Sequence, residues 1–242
     1  MTHEAYIREV PGSPQAVVLI HGILGTPRHF DFLIPLIPAD YSIYNIQLDG
    51  HGGCVQDFSR TSMKKWQTQV SSLLDDILPR HDQVILVAHS MGTLFSIREA
   101  IARPKKFRHL FLLQIPLRPW LKIRTAYDAL LLPFGIIPDR AQAMYNDCGL
   151  TLSRKLWLYL GWVPRFLELF ALCYQTKKIM GQLTVPCQAF QSKKDELVSI
   201  NTCRDIEKHP HYQMTILPNS GHFAYFDNDL SLIKSEFSKL FK

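Results

Sequence analysis

The 242-residue chain is predicted to adopt an α/β fold around a mostly parallel central sheet. Short apolar runs alternate along it with stretches in which apolar residues recur every three or four positions. The run Val84–Ala88 is apolar throughout, which is typical of a strand that helices cover on both faces. Such strands in alternation with helices favour a parallel sheet with a helical layer on each side.

Seven strands are predicted, six of them strongly. The six are apolar runs bounded by turn residues, at 15–20, 41–48, 83–88, 109–114, 187–192 and 212–217. The weaker seventh lies at 5–10. In parallel sheets reactive groups gather at the carboxyl ends of the strands, so the residues that follow each strand are the candidates for a functional site.

Helices are predicted between the strands from periodicity and from their first residues. Residues 61–78 carry an apolar stripe with a period of 3.6, and Thr61 is the expected N-cap. Thr26 as N-cap and Pro27 at the first helical position predict a helix over 26–37. The remaining helices are predicted at 91–102 and 229–242.

Residues 117–183 interrupt this alternation. They contain helix-like sequence but no convincing strand, and four prolines cut it into short pieces. We expect this stretch to form a helical cap over the strand ends. The predicted core domain then consists of residues 1–116 and 184–242.

The composition is that of an ordinary globular protein, 47% hydrophobic and 20% charged. The first residues do not read as a secretory signal, and no run approaches the roughly 18 apolar residues of a membrane span. Five cysteines stand at irregular positions without a C-x-x-C pair, which indicates reduced thiols and argues against a zinc site. A cytoplasmic protein that needs neither metal nor cofactor is expected.

The formal charge of +6 is concentrated in one part of the chain. Between Leu117 and Met180 lie nine Lys or Arg and only four Asp or Glu, together with three tryptophans and many leucines. This mixture suits an anionic apolar surface better than a nucleic-acid phosphate track, so peripheral contact with a membrane or lipid is one expectation and nucleic acid is not. A solvated helical face is the alternative.

The sequence QVILVAHSMGT, residues 83–93, brings a serine to the end of a predicted strand. A strand, a tight turn and a helix would expose the Ser90 hydroxyl, provided that the residues two before and two after are small. Ala88 and Gly92 meet that demand, although the usual G-x-S-x-G pattern has glycine in the first place. A serine that merely caps the following helix is the alternative.

A nucleophilic serine needs a histidine base and a carboxylate that orients it. His222 follows the last predicted strand in a glycine-containing loop, and Asp195 follows the strand before it. Glu196 stands beside Asp195, but the shorter side chain is favoured, with Val198 anchoring the loop. The candidate catalytic residues are therefore Ser90, His222 and Asp195.

A transition-state oxyanion would need two N–H donors near Ser90. The backbone N–H of Met91, which follows the serine, is one. The N–H of Ile23, in the sequence VVLIHGILGTP after the first strong strand, is the other. His21 and His51 stand in glycine-flanked turns at the same sheet edge and are expected to support these loops.

HGILGTP, LDGHGG, AHSMGT, KKDELV and NSGH, in this order, resemble the α/β-hydrolase superfamily, from about Val17 to the end of the chain. The branch most similar in motif is that of small carboxylesterases and bacterial monoacylglycerol lipases. The resemblance implies a sheet of eight strands or slightly fewer, a helical cap after the sixth strand and hydrolysis of a carboxylic ester. Ala88 and Thr93 depart from the glycines usual there.

The expected activity is ester hydrolysis through an acyl-enzyme, with an apolar or lipid-like acyl group as the substrate's main feature. A thioesterase, a lactonase or an aminopeptidase would use the same groups. A non-catalytic ligand-binding member of the fold is a rival of a different class. The sequence does not distinguish oligomeric states.

Overall fold

The computed structural model describes residues 4–242 and places seven strands in one sheet. The strands are β1 (Tyr6–Arg8), β2 (Gln15–Ile20), β3 (Ser42–Ile46), β4 (Gln83–His89), β5 (Phe107–Leu113), β6 (Cys187–Ser192) and β7 (Tyr212–Leu217). Their order is β1-β3-β2-β4-β5-β6-β7, and only the β1–β3 pair is antiparallel. The predicted α/β class with a mostly parallel sheet is confirmed.

Eight α-helices flank or follow these strands within the described residues. They are α1 (Val55–Ser59), α2 (Met63–Ile77), α3 (Met91–Ala102), α4 (Ile123–Leu131), α5 (Gln142–Asp147), α6 (Val163–Ile179), α7 (Thr202–Ile206) and α8 (Asp227–Lys239).

The central strands are covered on both faces, which explains their continuous apolar runs. Along β4, Val84, Leu86 and Ala88 belong to one buried cluster, which includes residues of α2 and α3. Ile85 and Val87 belong to a second cluster with residues of α8. Alternate side chains thus enter opposite helical layers, and both layers need apolar residues.

The prediction of one continuous helix over 26–37 is wrong. The chain forms two short 3-10 helices there, Pro27–Phe30 and Ile34–Leu36. Pro35 explains the difference, because a proline inside an α-helix removes a hydrogen bond and its ring clashes with the carbonyl four residues earlier. Thr26 does precede the first 3-10 helix, as expected of its N-cap.

The N-cap of α2 is Ser62, one residue after the predicted Thr61. The Ser62 hydroxyl accepts a hydrogen bond from the backbone N–H of Lys65 at 3.1 Å. Thr61 is buried instead, beside Gly50. Both residues suit an N-cap chemically, so the periodicity could not decide between them.

Residues 114–186, which connect β5 to β6 through helices and loops and contain no named strand, are called the β5–β6 segment below. It follows the fifth strand and not the sixth, because this sheet has seven strands. Its division from the core as a separate cap stays a prediction. The second half of α6 packs on α3 and shares the cluster of the sheet through Leu169, Leu172 and Cys173, so a boundary at 183 assigns to the cap a helix that covers the sheet.

The helical stretch Leu156–Gln182 is long and apolar enough to cross a membrane, judged by length and composition alone. The sequence expectation required an unbroken apolar run, whereas this stretch contains the half-buried charges of Arg165 and Glu168. Only 22% of its most apolar window is buried. The stretch therefore leaves a large apolar surface exposed.

Candidate active site

Ser90 lies in the sharp turn between β4 and α3. Its φ of +49° and ψ of −121° fall where a side chain is strained, at a cost of about 1–3 kcal/mol. The Ser90 N–H donates to the carbonyl of Leu113 in β5 at 2.9 Å, and its own carbonyl accepts from the N–H of Thr93, also at 2.9 Å. These bonds hold the strained residue in place, and the serine is not simply the cap of the following helix.

Two glycines allow the close approach of the chain around this turn. A Cβ on Gly92 would collide with the carbonyl oxygen of Ile20 in the neighbouring strand. A Cβ on Gly22 would lie 2.9 Å from the Cβ of Ser90 and 3.1 Å from Nδ1 of His89. The loop that follows β2 therefore passes directly over Ser90, which only glycine permits at these two positions.

The structure brings Ser90, His222 and Asp195 together from the ends of three strands. Nε2 of His222 lies 3.1 Å from Oγ of Ser90, and Nδ1 of His222 lies 2.9 Å from Oδ2 of Asp195. Since a carboxylate can only accept, the Nδ1–H donates to Asp195 and the unprotonated Nε2 accepts from the serine hydroxyl. All three side chains are buried.

The environment of His222 makes it a stronger base than a free imidazole. Burial alone would lower the pKa of this imidazole, but the negative charge of Asp195 and its hydrogen bond outweigh burial, so the pKa of His222 is raised above 6.5. A neighbouring histidine is different, because burial lowers the pKa of His89 well below that value. His222 can therefore gain a proton from Ser90 while His89 stays neutral.

Asp195 and Glu196 have different roles, which the sequence could not separate fully. Oδ1 of Asp195 accepts the backbone N–H groups of Leu197 and Val198 at 2.8 and 2.7 Å, which fixes the carboxylate toward His222. Glu196 accepts the backbone N–H of His222 at 2.7 Å. Glu196 thus holds the loop that carries the histidine, a function that sequence reasoning missed.

The predicted oxyanion donors belong to the residue after Ser90 and to the loop in which Gly22 lies against Ser90. Met91 begins α3, and N–H groups in the first turn of a helix have no acceptor within the helix. Ile23 lies in a turn that the Gly25 N–H closes onto the Gly22 carbonyl at 3.2 Å. The joint action of these two N–H groups on an oxyanion stays a prediction.

His21 and His51 tie the loop after β2, which contains Ile23, to the loop after β3. Nε2 of His51 accepts the N–H of Leu24 at 3.1 Å, and Nε2 of His21 accepts the N–H of Leu48 at 3.0 Å. Burial lowers the pKa of His21 to about 4 and that of His51 well below 6.5, so both rings stay neutral and can accept. These contacts agree with the supporting role expected for them.

The β5–β6 segment reaches the site through Asp147, which sequence reasoning did not select. Oδ1 of Asp147 lies 3.0 Å from Nδ1 of His29, and the His29 ring stacks on His89 with centroids 3.7 Å apart. The three groups are close enough to be considered as metal ligands. However, stacked rings inclined by 24° present their nitrogens in nearly parallel planes, which do not converge on one ion.

An apolar cavity of about 380 Å³ lies beneath the β5–β6 segment. Ile23 and Phe223 line it, and they adjoin Gly22 and His222 in the chain, so the cavity lies beside Ser90. Of the described residues that line it, only Asp147 carries a charged side chain. Its volume falls at the lower end of the range for small-molecule sites, about 300–1,000 Å³.

Comparison with known proteins agrees with this architecture. The sequence profile of the Alpha/beta hydrolase family matches residues 17–230. The thermostable monoacylglycerol lipase of Bacillus sp. (strain H-257) is 24% identical over 224 residues, which cover 91% of this chain and 87% of the relative.

Two solved structures share the fold. One was described with LipS and LipT, two metagenome-derived lipolytic enzymes; it has a TM-score of 0.75 and 21% identity, and the match covers 99% of this chain and 97% of the other. Paleococcus ferrophilus monoacylglycerol lipase has a TM-score of 0.66 and 20% identity, with 98% and 96% covered. The family profile spans most of the chain, from β2 into α8, and this protein therefore belongs to the alpha/beta hydrolase family.

Proposed function

We propose that this protein is a serine hydrolase that cleaves carboxylic esters with an apolar acyl group. The observation that carries the proposal is the continuous hydrogen-bonded chain from Ser90 through His222 to Asp195, with distances of 3.1 and 2.9 Å. A nucleophile, a base and a group that orients the base are the requirements of acyl transfer by serine.

In the first step of the proposed reaction, Oγ of Ser90 attacks the ester carbonyl carbon while Nε2 of His222 takes the hydroxyl proton. The N–H groups of Ile23 and Met91 bind the oxyanion, each contributing about 3 kcal/mol to the transition state. His222 then returns the proton to the departing alcohol. Water, activated by the same imidazole, attacks the acyl-enzyme and releases the acid.

The apolar cavity supports an acyl chain as the part of the substrate that is bound. Its walls are almost entirely aliphatic or aromatic, including Trp162 and Phe166 of the β5–β6 segment. Burial of each methylene contributes about 0.8 kcal/mol, so hydrolysis should become more efficient as the acyl chain lengthens until the cavity is full. A lipid-like ester fits these walls better than a polar acid does.

The proposal is tested with a fluorophosphonate probe and a series of p-nitrophenyl esters of increasing acyl length. The wild-type chain should be labelled covalently and should prefer apolar acyl groups over acetate. Ser90→Ala should lose both labelling and turnover. Equal turnover by Ser90→Ala and the wild type would disprove the assigned nucleophile.

The same labelling experiment, with thioesters and lactones added to the substrate series, separates the rival functions. A thioesterase or a lactonase would be labelled at Ser90 but would hydrolyse thioesters or lactones faster than esters of the same acyl group. A non-catalytic binding protein would resist the probe although it binds apolar ligands. Catalysis is proposed over binding alone because the three groups are in contact, which binding does not require. An ester is proposed as the substrate because a relative that spans most of this chain is a monoacylglycerol lipase.

A further inference from the structure

The β5–β6 segment exposes far more apolar surface than the rest of the molecule. Of the 21 large hydrophobic side chains that are exposed among residues 4–242, 15 belong to this segment. Scattered exposed apolar residues are normal, but a continuous patch marks a surface that binds something apolar.

These side chains follow helical spacing on two elements. On α4 they recur at intervals of four and three residues, and along the stretch 156–179 they continue through five turns. We call these side chains the apolar face: Ile123, Tyr127, Leu130, Leu156, Leu160, Val163, Leu167, Phe170 and Tyr174. Leu169, Leu172 and Cys173 occupy the opposite, buried side of α6, so the helix presents an apolar stripe outward as well as inward.

Charges are placed at the ends of the long stripe and not within it. Between Lys155 and Lys178, no exposed residue of the described chain carries a charge. Arg165 and Glu168 are half-buried and pair with each other at 2.7 Å. Exposed basic side chains flank the stripe at Lys155 and Lys178, with Trp157 and Tyr174 adjacent. Basic ends beside aromatic residues are typical of helices that lie in a membrane interface.

The apolar face is continuous with the cavity beside Ser90. Leu130 and Leu156 are exposed on one side and line the cavity on the other, as does Leu121 just before α4. An apolar chain could thus pass from a lipid surface into the cavity without crossing water. A second copy of this chain would cover the face but would not require this continuity.

From these observations we propose that the apolar face docks onto the surface of anionic lipid membranes. The side chains of the face enter the acyl boundary, and the flanking lysines contact lipid phosphates. The apolar face matches an anionic membrane in charge as well as in polarity, because nearly all the excess positive charge of the chain lies in this segment. The inference concerns binding alone and does not rest on the proposed reaction.

The test is cosedimentation of the full chain with vesicles, done with Ser90→Ala so that hydrolysis plays no part. Vesicles of phosphatidylcholine alone are compared with an equal mixture of phosphatidylcholine and phosphatidylglycerol. Binding should be stronger to the anionic mixture. Lys155→Gln and Lys178→Gln should each reduce it about fivefold there, and much less on phosphatidylcholine alone.

The apolar contribution is tested by Leu160→Glu and Leu167→Glu, which replace side chains that are exposed and do not line the cavity. Each should weaken vesicle binding of the Ser90→Ala chain at least tenfold. Introduced into the chain that keeps Ser90, each should leave hydrolysis of a short soluble ester unchanged. Leu232→Glu, on the exposed side of α8, is the matched control and should bind as the parent does.

Three outcomes would overturn the proposal: no sedimentation of the parent chain with anionic vesicles, unchanged binding by both Leu→Glu variants, or an equal loss in Leu232→Glu. Sedimentation velocity without lipid tests the alternative that a second copy of this chain covers the apolar face. A dimer that Leu160→Glu dissociates would show that a second copy covers the face, and would also refute membrane docking.

Discussion

Replacement of Asp195 by asparagine examines the most specific feature of the site. The change removes a negative charge 2.9 Å from Nδ1 of His222 while it keeps the size of the side chain. With the charge centres roughly 4 Å apart and an effective dielectric constant of about 20, the lost attraction to the imidazolium is about 4 kcal/mol. If that attraction is made only in the transition state, kcat/KM should fall about a thousandfold.

The matched control is Glu196→Gln, which removes a charge one residue away. Glu196 contacts the backbone of His222 and not its ring, so we expect less than a tenfold loss. Hydrolysis of a p-nitrophenyl ester and the rate of fluorophosphonate labelling measure both variants, and thermal melting confirms that each is folded. The reasoning fails if Asp195→Asn stays within tenfold of the wild type, or if the two variants lose equally.

Three further predictions concern pH, packing and the β5–β6 segment. Because the pKa of His222 is raised and the base must be neutral, kcat/KM should fall as pH drops through a value above 6.5; a limb at or below 6.5 in a pH profile would contradict this. Gly92→Ala should lower the free energy of unfolding in urea by about 3 kcal/mol, because its methyl group meets the Ile20 carbonyl; unchanged stability would show that the turn can relax. Asp147→Asn replaces the carboxylate that lies 3.0 Å from Nδ1 of His29 with a weaker hydrogen-bond acceptor, so the segment should become more sensitive to limited proteolysis while labelling of Ser90 persists; identical digestion patterns would show that this contact does not hold the segment.

The sheet was predictable because burial on both faces leaves a strong signal. The run of β4 is apolar since alternate residues enter two clusters, and the same rule located β2 and β5. The two 3-10 helices after β2 were predicted as one longer helix. The residues at its start suit a helix, but Pro35 prevents an α-helix from continuing through it. A local sequence pattern indicates where a helix begins more reliably than it indicates whether that helix is α or 3-10.

The site was predictable where chemistry and position agree. Ser90, Asp195 and His222 each follow a strand, and a parallel sheet brings such ends to one edge. Asp147 and His29 are 118 residues apart and follow no strand, so only the folded chain shows their contact. Glu196 was visible beside Asp195, but its bond to the His222 backbone depends on loop geometry that no spacing encodes.

The strained turn at Ser90 lowers the stability of the fold but exposes the hydroxyl that the proposed activity needs. A positive φ is unfavourable for any residue with a Cβ, so Ser90→Ala retains the strain and Ser90→Gly releases it. After allowance for the added freedom of glycine in the unfolded chain, Ser90→Gly should gain about 1 kcal/mol in the free energy of unfolding. If Ser90→Gly is inactive but more stable than the wild type, the strain at this position serves to place the hydroxyl and does not help to stabilise the fold.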